Sequence, residues 1–482
     1  MPIVPLWDQG TGYKSFPVSR QRRLNCYIEQ RSSFSNFSIE GADKTPISVY
    51  GTHGLTLFTA TGSTPVRGAR TIPYLTVTYY VAGNTIYVLN TAGISAPIGT
   101  INTATGYVGM SDSGENGLQL LIVDGTNGWI VNLSNNTLTM ITSAGFPASA
   151  TTATFLGGYF IVNSAGSGEF FWSNIYNGLV WNTLQFATAE YDPNNLLAVT
   201  VNLGQLLLWC ERTIEVWTLA GDSRIFARVG GSAVQWGLGS IYSIDFFGDS
   251  VIYLAKNRMG QFQVSLLSGT TSQPVSTPEV EYDLNMQGSP QQATAYSYLY
   301  FGHMMYQINF PNKSYLYDGT SNAWSEVGSA ALGINPPGRH YGNVRFELNS
   351  VPYVCDYRNG NIYKVDPSNY TDNGDPIICD FELKHVFEPA LGFQTIDEFQ
   401  IDMETGVGLV LGQGSVPELM FSVSRDGGRT FGNERQLAIG AIGNYTNKCF
   451  ALGVGCSRDF VARIKVSDPV KRAFANAQLR VR

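Results

Sequence analysis

The sequence predicts an all-β protein: a β-propeller-like repeat domain followed by a C-terminal antiparallel β domain. Three observations carry this. Charged residues make up only 14% of the 482, against roughly 25% in an average soluble protein, and Gly, Tyr, Phe, Thr, Ser and Asn fill the gap. Aromatic and β-branched side chains suit a pleated surface, while Gly and Asn suit tight turns. Strand–turn–strand units recur from about residue 50 to 370, and almost no stretch sustains the i, i+3, i+4, i+7 apolar spacing of a helix.

In chain order, residues 1–50 read as an N-terminal arm with entry strands, 51–375 as the propeller-like domain and 376–482 as the C-terminal β domain. Residues 74–89 give two strands around Ala82-Gly83-Asn84. Residues 243–267 give three, turning at Gly248-Asp249 and near Met259-Gly260; in the last, Phe262, Val264 and Leu266 alternate with Gln261, Gln263 and Ser265. Residues 353–365 fold back at Asn359-Gly360, a pair that tolerates positive φ. Leu121-Ile122-Val123-Asp124-Gly125-Thr126 before Trp129 is echoed by Leu316-Tyr317-Asp318-Gly319-Thr320 before Trp324. Such an echo suits radially repeated blades, six to eight in number, or two unrelated hairpins with favourable turn residues. From residue 376, Phe399, Ile401 and Met403 alternate with Gln400, Asp402 and Glu404. Further strands at 418–424, 434–439 and 460–466 and the final Gln478-Leu479-Arg480-Val481 complete either a sandwich packed on the repeat domain or a last blade.

Motifs point to structure rather than chemistry. Ser424-Arg425-Asp426-Gly427-Gly428-Arg429-Thr430-Phe431 fits S-x-D-x-G-x-T-[FW], the Asp-box. In such a hairpin the Asp426 carboxylate accepts N–H groups of its own turn, Ser424 and Thr430 add hydroxyls, Gly428 supplies unusual dihedrals and Phe431 anchors the loop. Asp-boxes mark sialidase-like propellers, where they lie away from the catalytic centre. This chain has one box, and no arginine cluster beside a tyrosine and acids can be assembled from it. His53, His303, His340 and His385 lack metal-ligand spacing, and His303 reads as a satisfied core or rim histidine. The six cysteines (Cys26, Cys210, Cys355, Cys379, Cys449, Cys456) contain no C-x-x-C pair. Glu279/Glu281 and Asp397/Glu398 read as solvated strand edges rather than a glycosidase dyad. No catalytic residue, cofactor or metal ligand is assigned, and the chain reads as no enzyme.

The net charge of −7 is uneven. Lys14, Arg20, Arg22, Arg23 and Arg31 face only Glu29 within residues 14–31, and residues 458–482 carry seven basic residues against Asp459 and Asp468, so the body is strongly acidic. Because the C-terminal charges alternate with apolar residues as in a strand, a protein interface is favoured over nucleic-acid arms. The interface candidates are Arg20, Arg22, Arg23, Arg458, Lys471 and Arg472. The start lacks a basic n-region, and runs such as Leu206-Leu207-Leu208-Trp209-Cys210 are too short to span a bilayer; the expectation is synthesis in a cytoplasm and no membrane insertion.

Two stretches resemble a known family. One begins Ala187-Thr188-Ala189-Glu190-Tyr191-Asp192-Pro193-Asn194-Asn195-Leu196-Leu197, passes Leu206-Leu207-Leu208-Trp209 and ends Thr213-Ile214-Glu215-Val216-Trp217-Thr218-Leu219-Ala220-Gly221. The other runs from Ser422 through the Asp-box to Glu434, then Gly455-Cys456-Ser457-Arg458-Asp459-Phe460 and Lys465-Val466-Ser467-Asp468-Pro469-Val470. In order and spacing they are similar to the packaged-DNA stabilisation (tail hub or nozzle) proteins of short-tailed double-stranded DNA bacteriophages. The resemblance implies a propeller-containing virion subunit, six copies of which ring the tail below the portal and its adaptor proteins. It further implies that the ring closes the filled head, retains the genomic double-stranded DNA, lets it pass on ejection without sequence-specific binding, and docks spike, fibre or plug proteins. The rival class is a carbohydrate-binding or glycosidase-type β-propeller of a virion, which further Asp-boxes and a convergent arginine cluster would favour.

Overall fold

The computed structural model describes residues 3–5, 21–30, 47–221, 224–330, 337–387 and 392–482. Seven antiparallel blades follow one another. Six are built in chain order, over residues 66–100, 109–140, 153–188, 196–228, 237–274 and 294–327. The seventh takes three strands from residues 342–366 and its outer strand from Gly54–Ala60, which pairs antiparallel with Asn361–Asp366 (Leu55 opposite Val365). The start of the propeller thereby closes onto its end. Gly54 must be glycine there, because a Cβ would meet the Thr371 carbonyl oxygen at 2.4 Å. Neighbouring blades touch around the ring, through their first strands except between blades four and five, where Gln205–Cys210 meets Gly237–Leu238, and the seventh meets the first.

The propeller has no single core. Each pair of neighbouring blades encloses its own apolar cluster. Successive side chains on a strand point to opposite sheet faces, and both faces of a blade are covered. Leu206, Leu208 and Cys210 therefore pack toward blade three while Leu207 and Trp209 pack toward blade five. A strand buried on both faces reads as a continuous apolar run rather than an alternation, which explains the run 206–210.

The second unit is a sandwich built from both chain ends. One sheet orders Cys26–Gln30, Ile47–Gly51, Ala473–Val481, Gln394–Met403 and Cys449–Ser457, with Ile3–Pro5 paired to Ala473–Val481. The other orders Arg23–Leu24, Cys379–Glu382, Asp459–Val466, Glu418–Ser424 and Arg435–Ala438. Between them lie Ile28, Phe399, Phe421, Phe381, Phe474 and their neighbours, with the Phe399 and Phe421 rings stacked at 4.2 Å. Residues 23–30 and 47–51 are thus structural strands of the sandwich and not a separate arm. Leu24 also bridges parallel to Glu326 of blade six, so one sheet runs from propeller into sandwich.

The strand–turn–strand expectations for 74–89 and 243–267 match Val77–Ala82 with Thr85–Leu89, and Asp245–Phe247, Ser250–Lys256 and Phe262–Ser268. The Asp-Gly-Thr echo is a different matter. It joins the second and third strands of blade two but the third and fourth of blade six. It is therefore two separate Asx turns, each with the Asp carboxylate accepting N–H groups two or three residues on, and not the blade repeat. Glu279 and Glu281 lie in the first turn of the helix Pro278–Met286, not on a strand edge, where acids favour the helix dipole and Thr277 caps the end. No helix among the described residues is long and apolar enough to cross a membrane.

Candidate functional site

The Asp-box hairpin joins Glu418–Ser424 to Arg435–Ala438. Asp426 Oδ1 accepts from Ser424 Oγ (2.6 Å) and from the backbone N–H groups of Arg429 (3.0 Å) and Thr430 (2.9 Å); Oδ2 accepts from Thr430 Oγ1 (2.6 Å). Gly428 N donates to Ser424 Oγ at 2.8 Å, and Gly427 and Gly428 have φ of +72° and +85°. The Ser424 hydroxyl, then Thr430, hold the Asp426 carboxyl well below the usual carboxylate range. Phe431 lies beneath the Arg463 guanidinium (5.3 Å). Both Asp426 carboxylate oxygens and the Ser424 and Thr430 hydroxyls are thus engaged in shaping the turn.

A group of buried polar side chains lies where blades six and seven meet the sandwich. A small cleft there is lined by Asn25, His53, Tyr298, Gln307, His340 and Asp372, among others. Asn25 has a φ of +55°, accepts from Gly328 N, and donates to the carbonyls of Gly328 and Ile378. Arg472 sends Nη1 to Ile377 O (2.8 Å) and Nη2 to Thr52 O (3.1 Å). Ser329 Oγ donates to Asp372 Oδ2 at 2.6 Å. Burial pushes His53 down to about 3, His340 down to about 4 and Asp372 up to about 7, so near neutrality the histidines are uncharged. His340 Nδ1 accepts the Gly342 N–H, which fixes that nitrogen as an acceptor. These groups tie loops together. Among the described residues no cluster of His, Cys, Asp and Glu could hold a metal ion.

The basic candidates divide. Arg20 lies outside the described residues. Arg22 binds Glu326 through Nε (3.0 Å) and Nη2 (2.7 Å), and Arg23 is 8% exposed. Arg472, 2% exposed, belongs to the domain junction and cannot meet a neighbouring subunit; a basic residue in a strand pattern signalled surface, but its long side chain threads inward. Arg458 and Lys471 stay at the surface, over the Phe393 ring (4.6 Å) and 2.7 Å from Glu404 respectively. Asp397 and Glu398 face Arg482 and Arg480 across the same sheet. His303 Nδ1 lies 2.8 Å from Asp318 Oδ2, a bond that raises the histidine. His385 pairs with Asp459 at 2.9 Å. Asn25 and Arg67, whose guanidinium holds the carbonyls of Gly83, Thr103, Thr105 and Gly106, carry no motif that sequence reasoning could have recognised.

A closed propeller welded to a two-ended sandwich, with its polar clusters spent on turns and junctions, defines a structural scaffold. A family model described as bacteriophage P22 Gp10, beta-propeller, matches residues 47–370, and one described as bacteriophage P22 Gp10, beta-sandwich, matches residues 384–482. The chain belongs to this family of phage DNA-stabilisation proteins, and it is a virion-associated structural protein. No curated protein matches significantly. Among solved structures, "Structure of U3-55K" is 10% identical with a TM-score of 0.43, covering 66% of this chain and 100% of that one. The Pan2 WD40 domain of Neurospora crassa is 7% identical with a TM-score of 0.43, covering 66% and 96%. The extracellular domain of the putative hybrid two component system BT4673 from B. thetaiotaomicron is 9% identical with a TM-score of 0.45, covering 72% and 43%. Likeness at this level says nothing about function.

Proposed function

We propose that this chain is a tail hub or nozzle subunit that closes the portal of the filled head, retains the packaged DNA and forms part of the ejection channel. The observation that carries the reading is the match of both domains, in order, to a DNA-stabilisation family. The charge supports it: an acidic body repels phosphates, so DNA slides past without being gripped or read. On this reading six copies, made in the host cytoplasm, form a ring in the virion tail, with portal-adaptor proteins above and spike, fibre or plug proteins attached. The test is DNA retention in particles assembled with and without the protein, followed over hours in moderate salt. Particles lacking it should package DNA and then lose it. Stable retention in its absence, with failed adsorption, would make it an attachment factor instead.

A further inference from the structure

The turns joining the first to the second strand of each blade, and the third to the fourth in blades one to six, all emerge on one face of the propeller. On that face the sequence breaks a backbone rule repeatedly. Positions with φ near +50° suit Gly, Asn or Asp, and a bulky side chain there is a genuine outlier. Leu118 (φ +48°), Tyr176 (+50°), Leu203 (+48°) and Phe301 (+46°) nevertheless occupy such positions, each at a hairpin on this face. Among the described residues, the remaining non-glycine positions with positive φ are all Asn, Ser or Thr. Leu203 and Phe301 are 71% and 74% exposed, so neither burial nor backbone preference in the isolated chain accounts for them.

The tips of blades two to five touch one another in succession. A Cβ at Gly117 would meet the Tyr176 ring at 3.2 Å, and Cβ atoms at Gly158 and Gly157 would meet Ile175 and Leu219 at 2.7 and 2.4 Å. Farther round, Asn202 Nδ2 donates to the Asp249 carbonyl at 3.0 Å. The seven turns between first and second strands contain no Lys or Arg, and Glu115 and Asp249 are their only charges. Of the turns between third and fourth strands, only that of blade four carries a cation among the described residues, the exposed Arg224, and a face this poor in cations does not suit DNA or anionic lipid. Exposed apolar anchors interspersed with Asn, Ser and Gly suit the core of a protein interface, where charge is depleted.

The same chain carries a second surface of matching character. On the sandwich, the loops 405–417 and 439–447 contain no charged residue. They are held together by backbone bonds from Gly443 N to Gly406 O and Leu409 N to Gly414 O, and by Thr405 Oγ1 donating to Tyr445 O. They expose Val410 (77%), Leu411 (84%), Val416, Ile442 and Tyr445. Two different apolar, charge-poor patches on separate domains of one chain are what a head-to-tail contact between identical subunits needs, and a closed ring requires such a heterologous contact.

We infer that the hairpin-tip face of the propeller docks onto the sandwich loops 405–417 and 439–447 of a second copy of this chain, with Leu203 and Phe301 as anchors. The inference rests on the ring reading above and names the surfaces that build it. The test is sedimentation of the purified full chain over a wide concentration range. Leu203→Asn with Phe301→Asn places a residue suited to positive φ at each turn, so thermal stability should hold or rise while association weakens at least about ten-fold. Val410→Ser with Leu411→Ser should weaken it equally. Mixing the two double variants restores one joint and should give dimers and nothing larger. Unchanged association of either variant, self-association of one variant alone at the wild-type level, or a wild-type chain that stays monomeric throughout would overturn the inference. None of these readouts involves DNA, so they fail or succeed independently of the retention assay.

Discussion

Truncating Ile28 to alanine tests the most consequential feature of the fold, the recruitment of N-terminal strands into a C-terminal sandwich. Ile28 is 2% exposed, pairs with Val49, and packs in the cluster that holds Phe399 and Phe421. Its neighbours come from both sheets, so the surroundings cannot collapse easily into the space left. Removal should cost about 3 kcal/mol, within the 2–5 kcal/mol typical of buried Ile→Ala changes. The size of the melting shift then reports how the domains are coupled. A sandwich melting on its own, at about 4–8 °C per kcal/mol for a domain of order 100 residues, should lose about 12–24 °C. If the sheet continuous through Leu24, from Glu326 to Asp380, makes the whole chain melt as one, the larger unfolding entropy should shrink the shift to a few degrees. Glu29→Ala, at an exposed position on the same strand, is the control and should stay within about 0.5 kcal/mol. Differential scanning calorimetry reads both variants. An Ile28→Ala protein melting like the parent, or a Glu29→Ala shift of equal size, would refute the two-ended sandwich.

Two further outcomes follow from the polar clusters. Asp426→Ala should cost about 1 kcal/mol, because the turn is exposed and its N–H donors can turn to water; urea midpoints measure this, and an unaltered midpoint would show that the turn holds without its carboxylate. Lowering the pH should destabilise the fold through His53 and His340. Their folded values lie near 3 and 4 against an ordinary value near 6.5, so the unfolded chain binds protons first; their contribution is full above about pH 6.5 and declines down to about pH 4 for His340 and about pH 3 for His53. Asp372, raised to about 7, acts in the opposite sense, its contribution falling as pH rises from about 4 through 7. His340→Gln should flatten the acid limb of the unfolding free energy against pH, and an identical limb would remove His340 from this account.

Local signals settled the β class, the hairpins at 74–89 and 243–267 and the Asp-box turn, because each depends on neighbours within a few residues: alternation, positive-φ turn residues, an Asp reaching its own backbone. The sequence also carried the continuous apolar run 206–210, whose meaning lay in blades covering both of its faces. Blade number and closure were settled only by tertiary structure, since pairing Gly54–Ala60 with Asn361–Asp366 joins strands some 300 residues apart that no local pattern relates. The Asp-Gly-Thr echo misled because an Asx turn stabilises any tight connection, whichever strands it joins. Charge clustering likewise could not tell Arg472, folded into the domain junction, from Lys471 beside it at the surface. Both immediately precede the strand Ala473–Val481, and which side chain points inward is decided by the segments from the far end of the chain that pack against it.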